Sequence, residues 1–205
     1  MIYITRHGQT ELNKKNILQG RSDHPLNDEG RRQAAALHDS FAKNNITFLY
    51  VYSSPLIRAA ETAKIISGCS SIITDERLTE MDYGPYEGTD LTNLPPEIVY
   101  FFSDFVNHPA PEGMEPLNDI VSRAGSFIES IKEEALKGNI LISTHAIAMK
   151  GVLEYLTPDS GGSYWAKNIG NCDIYAADVI DGSYTVPVLV DDGKDRWEGS
   201  ADGGR

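Results

Sequence analysis

Short apolar segments alternate along this chain with segments whose apolar residues recur at helical spacing. Four of the short segments have the length and composition of buried strands, namely residues 2–5, 47–54, 70–74 and 139–144. Helical patterns follow most of them. Alternation of this kind favours a sheet covered by helices. The sequence therefore predicts an α/β fold built in layers.

Start signals identify several of the helices. Asn27 is a favourable N-cap for a helix that runs to about Asn44, with Leu37 and Phe41 on its apolar face. Pro55 suits the first helical position after the second strand. Further helices are predicted at about 95–106, at about 116–137 and from His145 to about Leu156.

Residues 83–115, called the cap segment below, break this regular pattern. They carry several prolines and a cluster of aromatic residues around one predicted helix. We interpret the segment as a small cap-like insertion into a single domain that spans residues 1–205. A chain of this length can bury a substantial core within one domain.

The C-terminal part of the chain predicts a hairpin. Residues 173–180 and 184–190 are strand-like and are separated by an Asp-Gly dipeptide, which is typical of tight turns. Pro187 lacks a backbone N–H, so its strand is expected at an edge of the sheet. The residues from Asp191 onward are polar and glycine-rich, and we expect them to lie on the surface without a chemical role.

The overall charge narrows the classes of partner. The chain has 18 Lys and Arg residues against 30 Asp and Glu, which gives a formal net charge of −12. This charge repels nucleic acid and anionic membrane surfaces, so neither is an expected partner. No segment approaches the roughly 20 apolar residues of a membrane span, and the first residues lack the pattern of a secretory leader. We therefore expect a cytoplasmic protein, while its oligomeric state is left open.

The sequence shows no residue pattern typical of a metal site or of redox-active cysteines. The two cysteines, Cys69 and Cys172, show neither a zinc-site spacing nor a disulfide framework. We interpret both as reduced structural thiols. No metal site and no cofactor is predicted.

Basic side chains follow three of the predicted strands at the point where each strand ends. Arg6 and His7 end the first strand, Arg58 lies one helical turn beyond the second, and His145 follows residues 139–144. Ligand sites in open α/β sheets form outside the carboxyl ends of the strands. If these strands are neighbours, the four side chains converge into a cationic pocket. Such a pocket suits phosphate, which arginine binds bidentately.

A histidine inside a phosphate pocket can do chemistry as well as bind. Imidazole forms covalent intermediates, and its attack on phosphorus would give a phosphohistidine. Neighbouring cations would stabilise the charge on the transferred group. The departing alkoxide then needs a proton donor, for which Glu80, Asp82 and Glu87 are candidates on one segment. This reasoning alone leaves the choice among them open.

Five blocks of the sequence, taken in order, resemble the histidine phosphatase superfamily, also called the phosphoglycerate mutase-like family. The blocks are TRHGQTELN, GRSDHPLNDEGRRQA, VYSSPLIRAAETA, RLTEMDYGPYEG and ISTHAIAMKGVL, and they cover most of residues 1–156. Arg-His-Gly alone is a weak signal, whereas five ordered blocks are specific. The resemblance implies a three-layer α/β/α sandwich with a mostly parallel central sheet. It also implies that no metal ion takes part.

The resemblance assigns roles to the catalytic candidates. It implies that His7 is the nucleophile that becomes phosphorylated and that Arg6 and Arg58 hold the phosphate. His145 would hydrogen-bond the transferred phosphoryl group. Glu80 matches the family's proton donor, which selects one of the three carboxylates.

The resemblance also marks residues that would bind the substrate. Asn13 matches a polar position of the phosphate pocket, and Thr10, Gln19 and Gly20 would line it more peripherally. Ala146 stands where the family often has glycine. Its N–H remains available to phosphate, but a positive φ at this position would make alanine costly.

Family resemblance does not choose the reaction. A phosphoglycerate mutase needs extra cations for a carboxylate and a second phosphate, yet Met81 stands where the mutases have arginine. No Lys or Arg occurs from Leu78 to Ser122, and the cap segment is aromatic and acidic. A cap of this kind fits a neutral or apolar leaving group better than a polyanion. We therefore predict the phosphatase branch: metal-independent hydrolysis of a small phosphorylated metabolite through a phosphohistidine.

Two alternatives remain at this point. The first is a cofactor-dependent phosphoglycerate mutase. The second is a protein that binds a phosphorylated ligand without turnover, which has no need for both His7 and Glu80. The substrate itself is left open among sugar phosphates and nucleotide-derived or cofactor-biosynthetic monoesters, including esters of the α-ribazole phosphate type.

Overall fold

The computed structural model describes residues 1–190. Its strands are β1 (Ile2–Arg6), β2 (Tyr50–Ser53), β3 (Ile73–Thr74), β4 (Ile140–Thr144), β5 (Ile174–Ala177), β6 (Val179–Ile180), β7 (Ser183–Tyr184) and β8 (Val188–Leu189). Its helices are α1 (Glu11–Lys14), α2 (Asp28–Lys43), α3 (Ile57–Ser67), α4 (Pro96–Ser103), α5 (Leu117–Ser130), α6 (Lys132–Ala135) and α7 (Ala146–Leu156). Within residues 1–190, no helix is both long and apolar enough to cross a membrane. The surface position predicted from Asp191 onward falls outside the described residues.

A six-stranded sheet with the order β3-β2-β4-β1-β5-β8 forms the centre. Its first four strands are parallel, and β5 and β8 are each antiparallel to the strand before them in this order. Arg6 pairs with Thr144 across β1 and β4, and Ser53 of β2 pairs with Ser143. The three strands that carry the basic residues are therefore neighbours and end at the same level.

Helices cover both faces of this sheet. Successive side chains of β1 point to opposite faces, so Ile2 and Ile4 lie in one apolar cluster and Tyr3 lies in another. The first cluster includes Phe127 of α5 and side chains of α7, and the second includes Leu37 of α2 and side chains of α3. Each fully buried aliphatic side chain contributes roughly 1.5–3 kcal/mol. The predicted three-layer α/β/α architecture is confirmed.

The cap segment packs over the start of α7. Ile98 and Phe101 of α4 share an apolar cluster with Ile120 of α5, Ile147 of α7 and the more distant Trp165. The apolar face of α4 thus covers the end of the sheet at which the predicted site lies.

The observed helix boundaries correct two predictions. Asn27 caps α2 as predicted, with its side chain accepting the Gly30 N–H. However, α3 begins at Ile57 rather than at Pro55, because the intervening Leu56 stays extended with its N–H directed at a serine hydroxyl. The long helix predicted after the cap segment is two helices, α5 and α6, which separate at Ile131.

The predicted C-terminal hairpin is confirmed, although its two arms pair in two parts with a break between them. β6 and β7 form a separate ribbon around Asp181-Gly182, whose φ angles of 50° and 77° suit a tight hairpin turn. Beyond this ribbon the same two arms pair again, with β8 antiparallel to β5 at the edge of the main sheet. Pro187 lies between β7 and β8 and cannot donate to a ladder, which explains the break. The strand that follows Pro187 lies at the sheet edge, as predicted.

Candidate active site

The carboxyl ends of β1 and β4 bring His7 and His145 together. The His7 N–H donates to the Thr144 carbonyl at 2.9 Å, and the two imidazole ring centroids are 5.1 Å apart. A glycine is required next to His7, because a Cβ atom on Gly8 would lie 2.5 Å from the Gly30 carbonyl oxygen. The loop after β1 therefore passes directly against the start of α2, which fixes the position of the His7 main chain.

Hydrogen bonding and burial keep the His7 imidazole neutral with its Nε2 unprotonated. Its Nδ1 lies 2.7 Å from the Gly8 carbonyl, which can only accept, so the network assigns the ring proton to Nδ1. Burial lowers the pKa of His7 well below its ordinary value, and the charges of Arg58 and Arg6 lower it further. A neutral imidazole with an unprotonated Nε2 is the form that can attack phosphorus.

Arg58 is fully buried and connects the two histidines. Its Nε–H lies 3.3 Å from His7 Nε2 and 3.2 Å from His145 Nδ1. Its terminal nitrogens donate to the carbonyls of Ser22 at 2.8 Å and Gly20 at 2.7 Å. Burial lowers its pKa to about 10. Arg58 therefore remains charged at neutral pH and presents a fixed guanidinium to the space between the histidines.

Arg6 supplies a second guanidinium at the end of β1. One terminal nitrogen donates to the Ile169 carbonyl at 2.6 Å, while its buried Nε has no partner among the described residues. Burial lowers its pKa, and the nearby Glu80 carboxylate opposes that shift. A buried donor without an acceptor is costly. Because Arg6 precedes His7 in the chain, this N–H is a candidate donor to an oxyanion bound near His7.

His145 is held in one orientation at the start of α7. Since Nδ1 accepts from Arg58, the proton belongs on Nε2, which donates to the Ser54 hydroxyl at 2.8 Å. Burial lowers the pKa of His145 well below its ordinary value, with the Arg58 charge second. Ala146 follows as the first residue of α7 and is not among the described residues with positive φ. The strain considered for alanine at this position is therefore absent.

The structure separates the three candidate proton donors. Glu80 is almost fully buried, and its carboxylate accepts N–H groups from Met81, Ile147 and Ala148 at 2.9–3.2 Å. It thus caps the N-terminus of α7, one residue beyond His145. Asp82 is exposed and accepts the N–H of the turn two residues later, at 2.8 Å.

Glu87 has a structural position instead. Its carboxylate accepts the Gly20 N–H at 2.9 Å and the Ser22 hydroxyl at 2.5 Å. The same two residues offer their carbonyls to Arg58. Glu87 therefore stabilises the loop that holds Arg58, and only Glu80 of the three carboxylates contacts the helix that begins beside His145.

Three of the residues predicted to line the pocket are joined to one another by hydrogen bonds. The Thr10 hydroxyl donates to Gln19 Oε1 at 2.8 Å, and the Thr10 N–H donates to Asn13 Oδ1 at 3.1 Å. Gln19 Nε2 is buried and has no partner among the described residues. Gly20 lies on the same loop and contacts the pocket through its carbonyl, which holds Arg58. Like the free N–H of Arg6, the Gln19 amide is a donor available to an oxyanion.

Sequence reasoning missed several groups that shape the site. Ser54 orients His145, and Asn171 donates to the His7 carbonyl at 3.0 Å. Ser54 follows β2 directly, so its place at a strand end was a usable signal. Asn171 and the Ile169 carbonyl come from an irregular segment before β5, which carries no periodic pattern. Among residues 1–190, no group of three or more His, Cys, Asp or Glu side chains could hold a metal ion.

Comparisons with known proteins agree on one family. The model of the histidine phosphatase superfamily (branch 1) matches residues 2–192. A Hydrogenobacter thermophilus protein named "Putative phosphoserine phosphatase 2" is 33% identical over 179 residues, covering 84% of this chain and 86% of that protein. "Probable phosphoglycerate mutase GpmB" of Escherichia coli O1:K1 / APEC is 30% identical over 187 residues, covering 86% and 84%.

A solved structure shows the same arrangement of elements. It is a mutant phosphoserine phosphatase from Entamoeba histolytica in complex with phosphoserine, with a TM-score of 0.78 and 25% identity. The match covers 93% of this chain and 94% of that chain.

Proposed function

Because the chain belongs to the histidine phosphatase superfamily and is a phosphatase, we propose that it hydrolyses small phosphomonoesters through a phosphohistidine formed on His7. The observation that carries this proposal is the state of His7. Its Nε2 is unprotonated, buried and directed at the Arg58 guanidinium, with Arg6 as its neighbour in the chain. That arrangement supplies a nucleophile and two cations for a phosphoryl group in one place.

In the first step, Arg6 and Arg58 bind the phosphate oxygens of the substrate. His7 Nε2 attacks phosphorus, the N–P bond forms, and the bond between phosphorus and the leaving oxygen breaks. The leaving oxygen takes a proton from Glu80 and departs as an alcohol. Glu80 Oε2 accepts one N–H, whereas Oε1 accepts three, so Oε2 is the oxygen better placed to carry that proton.

In the second step, water attacks the phosphohistidine. Glu80, now a carboxylate, takes a proton from the water, the N–P bond breaks, and inorganic phosphate leaves with His7 neutral again. Arg6 and Arg58 donate hydrogen bonds to the transferred group as its charge changes, and His145 holds the Arg58 side chain between the two histidines. No step in this sequence requires a metal ion.

The substrate is a small phosphorylated metabolite. Two of the similar proteins are named for phosphoserine, which makes O-phosphoserine the first ester to test. The aromatic cap segment packs over the start of α7, which favours a compact leaving group over a macromolecule.

Mutase activity is the second candidate, because a relative of 30% identity is named as a phosphoglycerate mutase. The absence of Lys and Arg between Leu78 and Ser122 favours hydrolysis, since a mutase must hold a second phosphate. The two reactions share the phosphohistidine and differ in what accepts the phosphoryl group.

The test is phosphate release from a panel of phosphomonoesters with a chelator present. Wild type should release phosphate and should form an acid-labile phosphoenzyme, and His7→Ala should do neither. His38→Ala is the matched control, since His38 lies on α2 and bonds to the Ile66 carbonyl away from the pocket. Turnover by His7→Ala would refute the mechanism. Interconversion of 3- and 2-phosphoglycerate without net phosphate release would establish the mutase instead.

A further inference from the structure

Lys150 is a buried cation that the proposed reaction does not use. It lies on α7 five residues after His145, and only 8% of it is exposed. Its Nζ donates to the Trp165 carbonyl at 2.7 Å and lies 5.2 Å from the centre of the Phe105 ring. None of the ion pairs among residues 1–190 includes it. Burying an ammonium without a carboxylate is costly, and two of its three N–H donors have no protein acceptor among the described residues.

The Lys150 ammonium belongs to the reaction end of α7. Glu80 binds the N–H groups of Ile147 and Ala148, which lie within one helical turn of Lys150 on α7. Burial lowers the pKa of Lys150 to about 8, while the Glu80 charge raises it and the Arg6 charge lowers it. Lys150 is therefore charged at neutral pH, and the segment whose Trp165 carbonyl holds it also holds Arg6, through the Ile169 carbonyl four residues later.

A cavity of about 500 Å³ opens next to this ammonium. Its walls are Lys150, residues 102–106 of the cap segment, and Gly162, Trp165, Ala166, Lys167 and Asn168. Lys167 is exposed and places its Nζ over the Tyr164 ring, so the buried charge on this wall is Lys150.

Asp104 limits what the cavity can accept. Its carboxylate also lines the cavity and is held as an anion by the N–H groups of Val106 and Asn107, both at 3.1 Å. This carboxylate repels any anion, and it repels a phosphate dianion, with two charges, more strongly than a carboxylate with one. A single carboxylate is the anionic group that one ammonium can compensate. Arg6, Arg58 and Lys150 together then match the charge of a phosphate dianion and one carboxylate.

We propose that Lys150 binds a carboxylate on the leaving group and makes carboxylate-bearing phosphomonoesters the preferred substrates of this site. The proposal rests on the proposed function. It also revises the expectation that the cap favours neutral leaving groups, because the fold brings a cation from α7 beneath a cap segment that has no Lys or Arg of its own.

Two matched pairs of esters test the proposal. O-phosphoserine differs from phosphoethanolamine by the carboxylate, and 3-phosphoglycerate has a carboxylate where glycerol 3-phosphate has an alcohol. The measured quantity is the ratio of kcat/KM within each pair. Lys150→Met should lower both ratios roughly ten- to a hundredfold, as expected when a charge-assisted hydrogen bond is lost.

Two further variants separate charge from structure. Lys150→Gln can still donate to the Trp165 carbonyl but carries no charge, so it should lower the ratios as Lys150→Met does. Lys132→Met is the matched control, because Lys132 also stacks its Nζ on an aromatic ring, at 4.7 Å from Tyr184, but lies on α6. It should leave both ratios at the wild-type value.

Binding measurements keep this test independent of turnover. In the His7→Ala background, calorimetry gives the ratio of dissociation constants for 3-phosphoglycerate and glycerol 3-phosphate, with and without the Lys150→Met substitution. An unchanged ratio in Lys150→Met, or an equal loss for both members of each pair, would overturn the role of Lys150. Absence of phosphate release from every ester by wild type would instead refute the proposed function, while the binding ratio would still decide the role of Lys150.

Discussion

Glu80→Gln is the substitution that examines the proposed proton donor most directly. Glutamine keeps the size of the side chain, and its carbonyl oxygen can accept the N–H groups of Met81, Ile147 and Ala148, which Glu80 Oε1 accepts at 2.9–3.1 Å. Its amide N–H groups are far too weakly acidic to transfer a proton to the departing alkoxide. The substitution therefore removes acid catalysis while keeping the hydrogen bonds of residue 80 to the N-terminus of α7.

The size of the effect should depend on the leaving group. General acid catalysis contributes about 10²–10⁴-fold, which corresponds to roughly 2.7–5.5 kcal/mol of transition-state stabilisation. An alkyl ester such as glycerol 3-phosphate should lose this full factor in Glu80→Gln. para-Nitrophenyl phosphate releases a stable anion that needs no proton, so its loss should stay below about tenfold.

The assay compares kcat/KM for the two esters, because this parameter covers only the steps up to departure of the leaving group. Loss of the base in the second step should appear separately, as a burst of nitrophenolate while phosphohistidine accumulates. Asp82→Asn is the control, since Asp82 is exposed and bonds to the Gly84 N–H. It should behave as wild type toward both esters.

Two results would refute this reasoning. An equal loss for both esters in Glu80→Gln would mean that the residue acts through structure and not as an acid. If Asp82→Asn lost activity selectively toward the alkyl ester, Asp82 and not Glu80 would be the proton donor. Denaturant unfolding provides the structural check, because loss of the negative charge at the start of α7 should cost about 1 kcal/mol.

Two further predictions concern stability. Gly8→Ala should destabilise the protein by about 1–3 kcal/mol and reduce phosphate release, because its Cβ would lie 2.5 Å from the Gly30 carbonyl oxygen; wild-type melting would contradict the close approach. His7 and His145 have pKa values lowered by burial and by Arg58 from the usual 6.5, so below that pH the unfolded chain binds more protons than the folded one. The stabilisation should therefore be fully present above about pH 6.5 and should fall as the pH drops toward about 5. In His145→Gln the melting temperature should decline less steeply over this range. An unchanged dependence of melting temperature on pH would contradict the lowered pKa of His145.

The meeting of His7, Arg58 and His145 could be predicted because it depends on two general rules. Apolar periodicity locates β1, β2 and β4, and parallel strands with helical crossovers present their carboxyl ends at one edge. The register then places Arg6 opposite Thr144, so each histidine that follows a strand reaches the same place. The three-layer arrangement follows from the same pattern.

Other parts of the structure depend on contacts that no local pattern encodes. The start of α3 moved from Pro55 to Ile57 because of the bond between the Leu56 N–H and the Ser54 hydroxyl, which depends on the loop after β2. The residues before β5 have no periodicity, so Asn171 gave no signal although it supports the His7 carbonyl. Lys150 was hidden for a different reason: in sequence it is one basic residue on an apolar helix, and only the fold places it beneath the cap segment.

The partners of the cations explain why their charges are available to a substrate. Arg58 is held by the carbonyls of Gly20 and Ser22, Arg6 by a carbonyl before β5, and Lys150 by another in the same segment. Carbonyls fix a donor without cancelling its charge. Arg123 also donates to the carbonyls of Arg77 and Thr79, but it is in addition paired with Glu115 at 2.7 Å and so has its charge compensated within the protein.

This difference in partners also accounts for the role of the loop around Gly20. Glu87 accepts the N–H of Gly20 and so turns the carbonyls of this loop toward Arg58. Among residues 1–190, Glu87 forms no ion pair with the Arg58 guanidinium. A carboxylate placed directly on Arg58 would compete with phosphate, whereas one acting through the backbone orients the arginine and leaves it free to bind. An acidic chain can in this way keep a positive pocket: the negative groups near the site hold main-chain atoms, and the main-chain oxygens hold the cations.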